Sequence, residues 1–131
     1  MVRITPAHDP TVQVPFEIPI KGRKTPLKFT IPRLQYLPLP AAEAIDEWVL
    51  ARNAKIAAAT AGDVAAADEV ARFKKTDSLM FTLQQLLDDD VYARVDALTL
   101  GEKLQIESEW EKASKASLGD SLGESEALSG S

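Results

Sequence analysis

All eight prolines of this chain lie at or before Pro40, and this placement divides the chain into two kinds of structure. Proline fixes its own φ angle and lacks a backbone N–H, so it disrupts helix interiors and central strands. Residues 1–40 are therefore predicted to be extended, and residues 41–113 are predicted to be helical. Charge divides at the same place, because residues 1–40 carry a net charge of +4 and residues 41–131 a net charge of −9.

The first part has the pattern of a β-hairpin. VQVPFEIPI alternates with a period of two, and its even positions from Val12 to Ile20 are apolar. Pro15 and Pro19 occupy odd positions, which suits an edge strand. LKFTI alternates in the same way, and KGRKTP between the two runs is typical of a turn at Gly22. The following PRLQYLPLP is predicted to be an extended connector.

The chain beyond Pro40 has apolar residues at helical spacing. A first helix is predicted up to Gly62, a residue that suits a helix end, and Asp63 is expected to cap the next helix. Residues 63–87 are compatible with one helix or with two that meet at KTDS. The first helix has a stripe of residues at helical spacing, which consists of Ile45, Val49, Arg52 and Ile56, with Trp48 beside Ile45 and Val49.

Two shorter helices are predicted next. Asp90 is expected to cap a helix over VYARVDAL, and Thr99 with Glu102 forms a T-x-x-E capping box for the last helix. The apolar side of that last helix is predicted to contain Leu100, Leu104, Ile106 and Trp110. Trp110 is either an anchor that docks the helix or an exposed partner contact, and the burial of large aromatic residues favours the anchor.

These patterns predict an α+β fold that is mainly α, with an N-terminal β-hairpin followed by a small bundle of about four helices. Residues 1–113 are predicted to be a single domain, in which 1–40 is the extended part and 41–113 the helical part. Residues 114–131 contain six serines and three glycines. Ordering them costs about 1–2 kcal/mol per residue, and three leucines return only about 1.5–3 kcal/mol each. A disordered tail is therefore expected.

The sequence has little that supports catalysis. It has no cysteine, and its one histidine, His8, lies in a proline-flanked segment. Glycine-rich phosphate loops and zinc-binding motifs are absent from the sequence. The run Asp88–Asp90 invites a metal interpretation, but it lacks the spacing of a calcium loop, and a helix start is favoured. We therefore predict a protein that is not an enzyme and that uses no cofactor or metal.

Membrane and nucleic-acid binding are also disfavoured. No apolar run of about 18 residues is present, and the N-terminus lacks an apolar signal core, which favours the cytoplasm. A basic cluster is compatible with a nucleic-acid patch, but few aromatic residues accompany it, so a solvated hairpin surface is favoured. The cluster consists of Lys21, Arg23, Lys24, Lys28 and Arg33.

The C-terminal part resembles a known family. The order LTLGEKLQIESEWEKAS, then SLGES and an end of small residues, resembles the tail assembly chaperones of siphophages, particularly those that infect actinobacteria. Upstream, LKFTIPRL resembles the strand that leads toward the first helix in that family. The resemblance covers most of the chain and is strongest over residues 98–127. The opening segment is longer than is typical of the family, and the repeated SLGD and SLGE leave the register of the tail open.

The resemblance implies a non-catalytic role in phage tail assembly. Members of the family bind the tape measure protein and help tail tube subunits polymerise around it in the host cytoplasm, and they are usually absent from the virion. A −1 frameshift near the end of the gene commonly adds an extension, so this chain would be the short product of a frameshifted pair. Its Ser/Gly-rich end would then be the junction, with Gly119, Asp120, Gly123 and Glu124 as candidate positions.

Partner-contact candidates under this hypothesis are Met80, Phe81, Leu104 and Trp110, on apolar grooves that would receive helices of the tape measure protein. The hairpin is expected to pack on the helices or to mediate self-association. Two alternatives stay open at this point. One is a structural or adaptor protein of the phage tail that is retained in the virion, and the other is a small DNA-binding regulator that uses the basic hairpin.

Overall fold

The computed structural model describes residues 1–116, and within this range the fold is α+β and mainly α, as predicted. One antiparallel β-hairpin precedes five helices, one more than the expected four. The strands are β1, Gln13–Ile18, and β2, Leu27–Pro32. The helices are α1, Leu39–Thr60; α2, Val64–Val70; α3, Asp77–Leu86; α4, Asp89–Asp96; and α5, Leu100–Lys115.

The hairpin follows the predicted alternation. Gln13 pairs with Pro32 at one end of the ladder, and Ile18 pairs with Leu27 at the other. Leu27, Phe29 and Ile31 are buried on one face of β2, whereas its even positions are not. Gly22 lies in the connecting turn with a φ of 82°, a conformation that glycine adopts without steric cost.

The connector after β2 differs from the prediction. A short 3-10 turn, Leu34–Tyr36, interrupts the extended segment. Arg33 is only 3% exposed, and its guanidinium donates a hydrogen bond of 3.3 Å to the carbonyl oxygen of Ser114. Arg33 therefore does not belong to the exposed basic cluster, and the prediction was wrong for this residue.

The helix boundaries around Gly62 are confirmed. Gly62 has a φ of 103° after α1, and the Asp63 side chain accepts a hydrogen bond of 3.1 Å from the Ala66 N–H at the start of α2. The open question about residues 63–87 is answered by two helices. They separate because the Asp77 carboxylate accepts the Lys74 N–H at 2.7 Å, which caps a turn rather than extending α2.

The N-terminus of α4 has a different cap from the one predicted. Asp88, rather than Asp90, accepts the Val91 N–H at 2.9 Å, so the first Asp of the run caps the helix and the other two lie in its first turn. The capping box of α5 is confirmed, because the Thr99 hydroxyl and the Glu102 carboxylate each accept the other residue's backbone N–H.

The buried side of α5 is partly different from the predicted one. Ile106 and Trp110 are buried as expected, but Leu100 and Leu104 are exposed. The third buried residue is Ser114, so the stripe advances in steps of four through a polar residue. Helical spacing alone favoured the leucines because it does not indicate which side of the helix meets the hairpin.

The described residues separate into two compact units. Among the described residues, the hairpin unit contains Met1–Leu37 together with residues 93–116, and the helical unit contains Pro38–Tyr92. The predicted division at residue 40 followed the type of secondary structure. The contacts between residues instead place α5 in the same compact unit as the hairpin. The single domain over residues 1–113 stays a prediction.

The predicted tail begins too early. Ser114 and Lys115 belong to α5, so residues 114 and 115 are helical rather than part of a disordered end. Tail positions 117–131 lie outside the described residues, and so do the candidate junction residues Gly119, Asp120, Gly123 and Glu124.

Trp110 joins α5 to the end of β2. The side chain is 3% exposed, and its Nε1–H donates a hydrogen bond of 2.8 Å to the Pro32 carbonyl oxygen. One turn later the Ser114 hydroxyl accepts the Leu34 N–H at 2.9 Å. These contacts connect residues about 80 positions apart in the sequence. Ile106 of the same helix lines a groove together with Phe16 and Ile18, so α5 lies along the apolar face of the hairpin.

Replacing Trp110 by Phe tests this junction. We expect Trp110→Phe to lower the free energy of unfolding by about 1–3 kcal/mol, because the Pro32 carbonyl loses its donor. Trp48→Phe is the matched control, since Trp48 is only partly buried and its stacking on another ring survives the change. Urea denaturation followed by far-UV circular dichroism measures both losses, and equal losses would contradict the proposed importance of the Nε1 hydrogen bond.

Candidate protein-docking surface

The inner side of α1 is fixed by an aromatic stack. Trp48 lies against Phe81 of α3, with ring centroids 5.3 Å apart and ring planes at 16°. Ala41, two turns earlier, is buried on the same side of α1. Stacked aromatic rings contribute beyond their buried area. Phe81, a predicted partner contact, therefore packs within the helical unit.

Arg52 is the second inner residue of α1 and contacts two aromatic rings. Its Cζ atom lies 4.9 Å from the ring centroid of Trp48 and 4.0 Å from that of Phe73. The same guanidinium donates a hydrogen bond of 3.0 Å to the Asp77 carboxylate and one of 3.3 Å to the Lys74 carbonyl oxygen. A planar guanidinium satisfies all of these geometries at once, which a lysine ammonium does not. Arg52 thus holds the segment between α2 and α3 against α1.

Asp77 has a lowered pKa in this arrangement. Burial acts to raise its pKa, but hydrogen bonds from the Lys74 N–H and from Arg52, together with the charge of Arg52, outweigh burial. The carboxylate therefore stays ionised to a lower pH in the folded chain than in the unfolded one. Its contribution to stability is present above the ordinary Asp pKa and is lost as the pH falls through the lowered value.

The outer side of α1 exposes large apolar residues. Val49 and Ile56 lie two turns apart on one line, and both are exposed, although the sequence predicted them on the inner stripe. Leu39 and Leu50 lie three turns apart on a second line, 70% and 69% exposed. We call these four residues the outer face of α1. The prediction failed because α1 is apolar on several sides, and only the contacts of Trp48 and Arg52 define which side is inner.

The outer face is long, and two polar residues lie within it. The 22 residues of α1 extend over about 33 Å at 1.5 Å per residue. Asp46 and Asn53 are exposed between the two lines of apolar side chains. The helical unit contains ten acidic and five basic residues, a net charge of −5. An exposed apolar surface of this kind is typical of a site for protein contact.

The other predicted partner contacts are placed differently. Met80 and Trp110 are buried, so the structure assigns both to packing. Leu104 is 37% exposed on α5 and stays a candidate contact. Leu39 and Leu50 were not predicted as contact residues, because neither lies on the stripe predicted for the first helix. Their position off that stripe was the signal that α1 has a second apolar side.

The described residues contain no group of three or more side chains that would hold a metal ion. Helices long and apolar enough to cross a membrane are also absent from residues 1–116. Comparisons with protein-family models, with curated proteins and with solved structures find no match.

The Arg52 contacts predict a specific acid sensitivity. Arg52→Lys is expected to lower the free energy of unfolding by about 1–2 kcal/mol at neutral pH, because it loses the planar contact with two rings and one of the hydrogen bonds. Asp77→Asn is expected to lower the free energy of unfolding at neutral pH. The variant should then lose less stability than the native chain when the pH falls below about 4, because it has no Asp77 carboxylate to protonate. Thermal unfolding measured between pH 3 and pH 7 tests both expectations. If native and Asp77→Asn chains lose stability in parallel below pH 4, the role assigned to the Asp77 carboxylate is wrong.

Proposed function

We propose that this protein is a phage tail assembly chaperone, the short product of a frameshifted pair, that binds the tape measure protein and promotes assembly of the tail tube without catalysis. The resemblance over residues 98–127 supports the family. The outer face of α1 is the observation that carries the mechanism, because it is an exposed apolar surface on a long helix. The proposed place of action is the host cytoplasm during assembly.

The mechanism is reversible covering of an apolar helix. A tape measure protein is long and prone to aggregate before the tube surrounds it. One of its helices would lie along α1, with its apolar residues against Val49 and Ile56 on one line and Leu50 on the other. Leu39 and Leu50 are highly exposed, and their burial would supply much of the binding free energy. Tail tube subunits would then displace the chaperone by covering the same apolar residues.

Charge would select the partner helix. The net charge of −5 on the helical unit favours a helix that carries lysine or arginine beside its apolar stripe. Asp46 lies between the two apolar lines and is placed to pair with such a residue. Electrostatic attraction of this kind raises the association rate, and salt weakens it.

Substitution of single residues of α1 by glutamate tests the docking surface. Val49→Glu or Ile56→Glu is expected to weaken binding to the tape measure protein encoded in the same genome by about tenfold or more, since an important interface residue contributes over about 1.4 kcal/mol. Ala51→Glu is the matched control, because Ala51 is exposed on α1 outside both apolar lines. Co-purification and isothermal titration give the affinities. Equal affinities for all three variants would exclude this surface.

A second measurement separates the chaperone from the alternative roles. Mass spectrometry of purified virions is expected to detect the tape measure protein but not this chain. Detection at stoichiometric levels would instead support an adaptor retained in the tail. Salt-dependent DNA binding that requires Lys21 and Arg23 would support a regulator.

A further inference from the structure

We infer that a groove beside the hairpin turn binds the chain's own acidic, leucine-containing segment, residues 121–128. The groove, called the turn groove here, lies between the hairpin turn and the α4–α5 junction within the hairpin unit, and its cavity is about 380 Å³. Its apolar lining includes Ile20, Leu27 and Leu98. This inference is independent of the proposed function.

Cationic side chains line the same groove. Lys21 and Arg23 flank Gly22 in the turn, and Arg94 of α4 also lines the cavity. Within residues 1–116, Lys21 and Arg23 have no ion-pair partner. The acidic lining residue is Glu102, whose carboxylate already accepts the Thr99 N–H and hydroxyl at 2.9 Å each. The groove therefore combines an apolar floor with positive charge, which suits a ligand that carries a leucine and a carboxylate.

Residues 117–131 have the matching composition. These 15 residues contain three acidic residues, three leucines and no lysine or arginine, and two of each kind lie in the segment 121–128. Glu124 follows Leu122 by two positions, and Leu128 follows Glu126 by two positions. Because residues two apart share a face of an extended chain, each pair would present a leucine and a carboxylate to the same surface.

The segment is long enough to reach the groove. From Lys115 at the end of α5 back to Glu102, the helix axis covers about 20 Å. An extended chain covers about 3.3 Å per residue. The residues between Lys115 and Leu122 are therefore just long enough to cover that distance, and those between Lys115 and Leu128 are more than long enough. Both leucine–carboxylate pairs are therefore compatible with the turn groove.

Charge also distinguishes this groove from its neighbour. A second groove, between β1 and α5, has an apolar floor of Phe16, Ile18 and Ile106. Its acidic lining residues include Glu17 and Glu109, which would repel an acidic segment. The turn groove is thus the favoured site for residues 121–128, although the two grooves adjoin at Glu102.

Paramagnetic relaxation in the full chain tests the inference. Because the sequence has no cysteine, Ser129→Cys accepts a single spin label just beyond the segment. We expect the label to broaden the amide signals of residues 21–25, 97 and 98, relative to the reduced label. Arg23→Glu should abolish this broadening. Lys24→Glu, which changes the same charge in the same turn outside the cavity lining, should preserve it.

A second variant controls for changes in the turn itself. Glu124→Gln with Glu126→Gln leaves the groove intact and should also abolish the broadening. Absence of broadening in the parent chain, or broadening that all variants share, would overturn the inference. Isotope-labelled chain without the spin label, mixed with spin-labelled chain that carries no isotope, reports contacts between copies. Equal broadening in that mixture would overturn binding within one chain in favour of binding between two.

Discussion

The junction between Trp110 and Pro32 is the contact on which the hairpin unit depends. An isolated two-stranded hairpin is marginally stable in water, and this one has an apolar face containing Leu27 and Phe29 that requires cover. The cover is α5, held by the Trp110 Nε1 hydrogen bond and by Ser114 one turn later. Without that helix the hairpin would expose its apolar face, so the hairpin and the last described helix are stabilised together.

The helical unit is held together by a different set of contacts, those of Arg52, which are partly polar. Arg52 occupies an inner position of α1 where a purely hydrophobic helix would have leucine. Its contacts with Phe73 and Asp77 explain why the chain between α2 and α3 turns instead of continuing as one helix. The helices in this unit are short apart from α1, and they leave one side of α1 uncovered. The candidate docking surface is therefore a consequence of how little of α1 its neighbours cover.

Local chemistry was largely readable from the sequence. The alternation in β2, the turn at Gly22 and the capping box at Thr99 depend on a few neighbouring residues, and all were predicted correctly. The burial of Arg33 and the exposure of Val49 were not predicted, because each depends on which distant element packs there. The pairing of Arg33 with Ser114 spans about 80 positions and has no local signal. The docking surface was missed for the same reason, since Val49 and Ile56 were assigned to the inner stripe and Leu39 and Leu50 to no stripe.

The chain order of the hairpin unit has a consequence during protein synthesis. The ribosome releases the hairpin first, but α5, which covers its apolar face, emerges only after the whole helical unit. Domains usually fold in the order of their synthesis, and here the first segment to emerge has to wait for the last described helix. The helical unit is one continuous stretch of chain, Pro38–Tyr92, so it can fold during that interval. The nascent hairpin would then be the part of the chain most in need of protection from aggregation.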